Sequence, residues 1–472
     1  MSSYKKKLPS TYTILVFLIV LLCSGIIVQF AILSPHRPSS TANTQPYTYQ
    51  LNEEKIPEHK RPVHSSPPAS LLTPPLPPKQ VIPKACQGVD FKWLASDRKF
   101  WDGWSSKSMF MKPNGKFTRK TVRIQQGESI CIAALLGPIP ALSIIKAMSH
   151  YGPADSIMVT AVDRLSGIKI PIVLQQHDQQ TNGYFASVEM AYVGQFELET
   201  SVEYRSYFWE YPNFHKYLPN RFASENRLNV RPAEQSIEDK PCGPSGLAQS
   251  AWKKNRVVHQ FLPRCQLTDC SRTFKIAHYW GDDHLKRNIG ITLQPPSYHN
   301  ECDTMKEIEF PLYDGNQTIY FNPLTDGLVQ NLEAWKTMIQ KETRQLPKAD
   351  LVVLGIGNHD LGGIRQDPTE FAAHFYTFLA YLHKEVYPQQ TIVVKTTQPI
   401  AGKLYAGYNY GRSEAYANII KTSVRVINSN RVILWDTHQL GFVENQCPNQ
   451  IHSRQSVIRL ENRLFSHLLC QL

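Results

Sequence analysis

Two different spacings of apolar residues divide this chain. Between about residues 86 and 236, runs such as SIMVTAVDRLSGIKIPIVLQQ and GYFASVEMAYVGQFELETSVEYRS alternate apolar and polar positions and are separated by Gly- and Asp-containing turns. A period of two with frequent turns predicts antiparallel strands in an immunoglobulin-like β-sandwich. From about Pro241 the spacing changes. The strands FKIAHYW, ADLVVLGIGNHD, TIVVKTTQPI and RVILWDTHQL now alternate with helical stretches, one from about residue 328 to 340 and the others FAAHFYTFLAYLHKEVY, SEAYANIIKTSVRVI and IRLENRLFSHLLC. Val/Ile-rich strands separated by helices predict a mostly parallel sheet covered on both faces, an α/β domain over residues 237–472.

In such a topology the polar segments at the strand ends carry the interest. GDDH, GNHD, TTQP and WDTH all fall there, and in an open α/β sheet the ligand crevice lies outside the carboxyl ends of the strands. The sharpest of these junctions is Phe274 to Gly290, FKIAHYWGDDHLKRNIG. An apolar run stops at one glycine and two carboxylates, and a helical pattern starts at once through Leu285 and Ile289, so strand, tight turn and helix place Asp282, Asp283 and His284 at the crevice. A carboxylate there can also do no more than cap the helix.

Ahead of the folded region the chain has a different character. Residues 13–33 carry no charge, enough for a helix across a bilayer core of ~30 Å. Lys5, Lys6 and Lys7 precede this run and Arg37 alone follows closely, which predicts an uncleaved anchor with residues 1–12 cytosolic and the remainder luminal or extracellular. Residues 34–85, rich in Pro, Ser and Thr, predict an extended stem. The expected protein is thus a single-pass type II membrane protein of the Golgi or cell surface.

Of nine cysteines, all but Cys23 fall after the predicted span, and an even number in an oxidising compartment predicts disulfides of undetermined pairing. Asn316-Gln317-Thr318 is a possible glycan acceptor. The net charge of +12 is scattered rather than gathered in a stripe, and the predicted topology excludes nucleic acid; acidic glycans and a plainly solvated basic surface both fit. The aromatics Phe91, Trp93, Phe100, Trp101, Trp104 and Phe110 read first as core, and alternatively as a sugar-stacking platform.

The order of these motifs resembles the neurexophilin and PC-esterase domain family over most of the predicted luminal part. AVDRLSG and NGYFASVEMAYVGQFELETSV are similar to its neurexophilin-like region, and YWGDDHLKRNI, GNHD, IVVKTTQPI, ILWDTHQL and NQIHSR…LLC to its esterase half, which is related to the SGNH/GDSL hydrolases. The resemblance implies a serine nucleophile after Gly-Asp, a late histidine as base, an aspartate three residues before it, and an oxyanion site near the Gly-x-His block. Gly281, Asp282, Gly357, Asn358, His359 and His452 match. Asp283 stands where the serine belongs, Asn449 where the aspartate belongs, and Ser453 where a proline usually follows the histidine.

Those departures bear directly on the chemistry. An ionised carboxylate has no proton to surrender to a base and attacks esters poorly. A neutral amide in place of the orienting carboxylate costs about 10⁴ in kcat in a well-studied triad. The resemblance therefore implies a membrane-tethered module that binds a glycan or a secretory or cell-surface protein with a disabled hydrolase fold. The alternative is a glycan O-acetylesterase or acyltransferase of altered mechanism, with His452 as base, or His438 if the late motif is displaced. Thr396, Thr397 and Thr437 are nearby hydroxyls with no evident partner base. Asp282, Asp283, His284, His359, Asp360, His438 and His452 have the ligand chemistry for a divalent ion, but the chain has no HxxxH-type helical pair; no cofactor or metal is expected.

Overall fold

The computed structural model describes residues 81–91, 105–112, 116–137, 156–178, 180–204, 222–233, 242, 247, 249–255, 258–268, 274–293, 302, 308–314, 316–362, 368–400, 410–440, 447 and 452–471. The predicted span at 13–33, the stem to residue 80, Trp93, Phe100, Trp101 and Trp104, and the triad position Asn449 lie outside them. Among the described residues no helix is long and apolar enough to cross a membrane.

The first half consists of strands β1 (Ser106–Phe110), β2 (Val122–Gln125), β3 (Ser129–Leu136), β4 (Ser156–Asp163), β5 (Ile168–Ile172), β6 (Gln175–His177), β7 (Gln180–Glu189), β8 (Gly194–Tyr204), β9 (Phe222–Arg231), β10 (Ala251–Asn255) and β11 (Val258–Leu262). They form a four-stranded sheet, β1-β3-β7-β6, and a seven-stranded sheet, β11-β10-β5-β4-β8-β9-β2. Phe110, Ile130, Ile132 and Val188 of the first share one core with Val159, Leu198 and Leu228 of the second. The pairing is antiparallel except between β2 and β9. β3 is buried on both faces, its outer residues Cys131, Ala133 and Leu135 packing on Cys86, Phe91 and Met109. The Cys86–Cys131 disulfide fixes that cover.

The hairpin β10–β11 joins this sheet through Trp252, opposite Lys169 of β5. The strands of the first half thus run past residue 237, where the apolar spacing predicted the start of the α/β domain. A short hairpin enclosed by Pro- and Gly-rich sequence shows no periodicity long enough to assign it.

The second half is a six-stranded sheet of β12 (Ile276–Gly281), β13 (Leu312–Asp314), β14 (Gln317–Pro323), β15 (Leu351–Gly355), β16 (Thr391–Lys395) and β17 (Val432–Trp435), in the order β13-β14-β12-β15-β16-β17. All neighbours are parallel except β13 with β14. The helices are α1 (Asp283–Leu293), α2 (Leu328–Gln345), α3 (Asn358–Gly362), α4 (Pro368–Tyr381), α5 (Tyr410–Ile427) and α6 (Gln455–Cys470). Successive strand residues face opposite sides, which explains why β12, β15, β16 and β17 are apolar over most of their length. Trp280, Val352, Leu354, Ile392 and Val394 pack with α2, α4 and α5. Ala277, Tyr279, Leu351, Val353 and Val393 pack with Leu285 and Ile289 of α1 and Val457, Leu460, Leu464 and Leu468 of α6. β13 and β14 carry no pattern that singled them out in the sequence, and the exposed Asn316 sits at the turn between them.

From β12 the chain passes to β14 on one side and then returns to β15 on the other. The direction of winding therefore reverses between β12 and β15, and the crevice of a doubly wound sheet opens at that reversal.

Candidate functional site

Gly281 and Gly355 end β12 and β15 side by side. A Cβ on Gly281 would lie 2.4 Å from the Gly355 carbonyl oxygen and 2.7 Å from Leu285 Cδ2, so only glycine lets strand, strand and helix meet this closely. Gly357 has φ +108°, a left-handed conformation that turns the chain into α3.

Asp282 is buried and caps α1: its Oδ1 accepts from the backbone N–H of His284 at 3.0 Å and of Leu285 at 3.4 Å. Its Oδ2 accepts from Asn358 Nδ2 at 2.8 Å, and Asn358 Oδ1 in turn accepts from Gln398 N–H at 3.3 Å. The ends of β12, β15 and β16 are thereby stitched together. Asp283, the first residue of α1, is exposed.

His284 is buried, and its Nδ1 lies 2.7 Å from Gln398 Oε1. Gln398 Nε2 donates to Glu461 Oε1 at 3.4 Å. An ionised Glu461 only accepts, so Gln398 Oε1 faces His284 as an acceptor and the proton of the neutral imidazole sits on Nδ1. Burial, followed by the positive charge of Lys395, lowers the His284 pKa to about 3. Glu461 also accepts from Asn288 Nδ2 at 2.9 Å and lies 3.3 Å from Lys395 Nζ, both ends of that ion pair being buried. The Lys395 ammonium makes this contact without hydrogen-bond alignment and rests 5.6 Å from the Trp435 ring.

His452 is half-buried, its ring centroid 4.6 Å from that of His284. Burial, then the neighbouring His284 and Arg287, lower its pKa to about 3, while Asp283 and Asp282 act in the opposite sense. His452 and Asp283 therefore share one crevice. The Nδ1 of His452, the atom an orienting carboxylate would hold in a triad, is buried with no hydrogen-bond partner. The Cys302–Cys447 disulfide, with Cys447 N–H donating to the His452 carbonyl at 3.2 Å, secures the backbone here.

The remaining candidates are engaged elsewhere. Asp360 is buried under α2, where its Oδ1 accepts from Val329 N–H at 3.1 Å, and burial raises its pKa. His359 is half-buried and close enough to His284 for their charges to interact. His438 is buried 3.5 Å from Ser413 Oγ, and burial takes its pKa well below the usual value. Thr396 and Thr437 bond to each other, and Thr397 donates to the Ser413 carbonyl; all three are buried. Among the described residues no three His, Cys, Asp or Glu side chains gather to hold a metal ion. A cavity of about 330 Å³ lined by Phe261, Leu267, Leu460 and Arg463 contains none of the crevice residues.

Gln398, Lys395, Glu461 and Arg287 were not among the sequence candidates. Only the TTQP segment at the β16 edge, which contains Gln398, gave any signal.

The second half is thus an open, mostly parallel α/β sheet whose polar residues converge at the reversal of strand order. No family model and no curated protein matches the chain. Among solved structures it is similar to an acetyl xylan esterase at 14% identity, covering 40% of this chain and 98% of that one with a TM-score of 0.29. A lipase/acylhydrolase from Enterococcus faecalis matches at 12% identity over 41% of this chain and 93% of that one, TM-score 0.29. An acetylxylan esterase from Geobacillus stearothermophilus matches at 13% identity over 42% and 94%, TM-score 0.28. At such scores the likenesses carry no argument, and the functional reading rests on the geometry of the crevice.

Proposed function

We propose that this protein is a membrane-tethered binding module: a disabled hydrolase-like domain whose crevice, at the ends of β12, β15 and β16, takes a glycan or a protein ligand without cleaving it. The observation that carries the reading is the state of the base. The His452 ring lies 4.6 Å from that of His284, next in sequence to Asp283, the carboxylate at the position a nucleophile would need, and its Nδ1 has no orienting partner. An imidazole that protonates only near pH 3 is a weak base, and a carboxylate gives it no proton to remove. Asn358, the amide the family pattern would place near an oxyanion, donates to Asp282.

We read residues 13–33 as the anchor, the first half as an immunoglobulin-like sandwich, and the protein as belonging to the neurexophilin and PC-esterase family at the Golgi or cell surface. Among the described residues, the disulfides Cys86–Cys131, Cys242–Cys265 and Cys302–Cys447 support an oxidising compartment. The exposed turn at Asn316 supports glycosylation there.

The test is an esterase assay of the full-length, detergent-solubilised protein on acetylated sugars and a chromogenic acetyl ester, with His452→Ala as control. No turnover from folded protein is the expected result. Turnover that disappears in His452→Ala overturns the proposal in favour of an acetylesterase or acyltransferase of altered mechanism.

A further inference from the structure

We infer that Arg287 and His452 form a subsite for a negatively charged group, a carboxylate or a sulfate, on the ligand of this crevice. This deepens the binding reading above and depends on it.

Arg287 lies one helical turn beyond Asp283, so both project from the same side of α1. Its Nε and Nη2 are buried and have no hydrogen-bond partner. Arg287 also lies three residues beyond His284 on α1, and the His284 ring meets that of His452 at 4.6 Å in a tilted pair, so the guanidinium shares this cluster and its charge acts on both imidazoles. The buried Nδ1 of His452 is a second unpartnered group in the same cluster. Asp283 acts on Arg287 electrostatically without hydrogen-bonding those two nitrogens, so its carboxylate leaves the fork unsatisfied.

Native proteins seldom bury polar groups unpaired, and Arg287, itself half-buried, has two charged donor nitrogens enclosed without a partner. Adjacent guanidinium nitrogens form a planar fork that matches the two oxygens of a carboxylate or sulfate, and a neutral imidazole can supply one more donor. The three nitrogens are buried, so an oxyanion meets them only once the exposed Asp283 side chain moves aside. Repulsion from Asp283 would weaken such a ligand. The competing structural account is that Asp283 swings onto Arg287 and closes the fork from within.

The experiment is calorimetric titration of the full-length protein with two probes at fixed ionic strength, dextran sulfate and polygalacturonate, which present sulfate and carboxylate respectively. Saturable binding of at least one probe is expected, weakened about tenfold or more by Arg287→Gln, the loss of one charge-assisted contact. Arg287→Lys keeps the net charge but loses the fork, and should also bind more weakly, which separates the subsite from the basic surface. Asp283→Asn should bind more tightly, whereas closure from within by Asp283 predicts that this variant exposes no new affinity. A second readout does not depend on affinity: sulfate should raise the melting temperature of the wild type and leave Arg287→Met unmoved. Wild-type binding to neither probe, equal binding by wild type and both arginine variants, or an equal sulfate shift in Arg287→Met overturns the inference. Each of those results leaves a silent esterase assay standing, and esterase turnover refutes the non-catalytic reading without altering the anion result.

Discussion

Replacing Glu461 by Gln removes one charge from the most deeply buried ion pair beneath the crevice while preserving the shape of the side chain. The partner, Lys395, is 2% exposed, has Glu461 at 3.3 Å, and has no aligned hydrogen bond to fall back on. Orphaning one member of a buried pair costs about 3–5 kcal/mol. A second route sets a ceiling. A stranded lysine can shed its proton, which from an ordinary value of about 10.4 costs about 4.6 kcal/mol at pH 7 and about 2 kcal/mol at pH 9. Glu461→Gln should therefore destabilise by about 3–4.6 kcal/mol at pH 7, a fall of roughly 6–18 °C in the melting temperature of a domain this size, and by no more than about 2 kcal/mol at pH 9. The assay is urea and thermal unfolding followed by tryptophan fluorescence, to which Trp435 against Lys395 contributes. Lys395→Met in the same chain should recover at least about 2 kcal/mol of the loss, a coupling measured by the double-mutant cycle. A loss below about 1 kcal/mol that is unchanged at pH 9 would refute the reasoning, since it would mean that Lys395 is hydrated or paired otherwise.

Two further outcomes rest on the same geometry. His284 and His452 protonate near pH 3 in the folded chain against about 6.5 when unfolded, so the unfolded chain binds more protons between those values. Stability should be fully present above pH 6.5 and fall as the pH drops towards 3, at up to about 1.4 kcal/mol per pH unit for each histidine; urea midpoints from pH 7.5 to 5 should show a shallower slope in His284→Gln, and an unchanged slope would contradict the depressed values. Gly281→Ala forces a methyl to 2.4 Å from a backbone oxygen that cannot yield without opening the β12–β15 ladder. It should cost about 3 kcal/mol or more, and a variant within about 1 kcal/mol of wild type in urea unfolding would sink the close-approach account.

The sequence by itself determined β12, β15, β16, β17 and the helices between them, because apolar periodicity records which faces are buried whatever the partner turns out to be; β13 and β14 left no such signal. Val352, Leu354, Val393 and Val394 had to lie in two-sided strands, and GDDH, GNHD, TTQP and WDTH had to end up at one edge once the strands were parallel. The Asp283 substitution was equally legible, since it is a matter of residue identity. Local signals failed at β10 and β11, where a hairpin finds its sheet through Lys169, some eighty positions earlier. Only the tertiary structure decided which polar groups are partners. His284 meets Gln398 across 114 positions and Gln398 meets Glu461 across 63, and no local pattern encodes a contact between a strand end and the last helix. It also decided which polar groups are left without partners: Arg287 looks in sequence like any charge on a helix surface, and only the fold leaves its Nε and Nη2 buried with no hydrogen-bond partner.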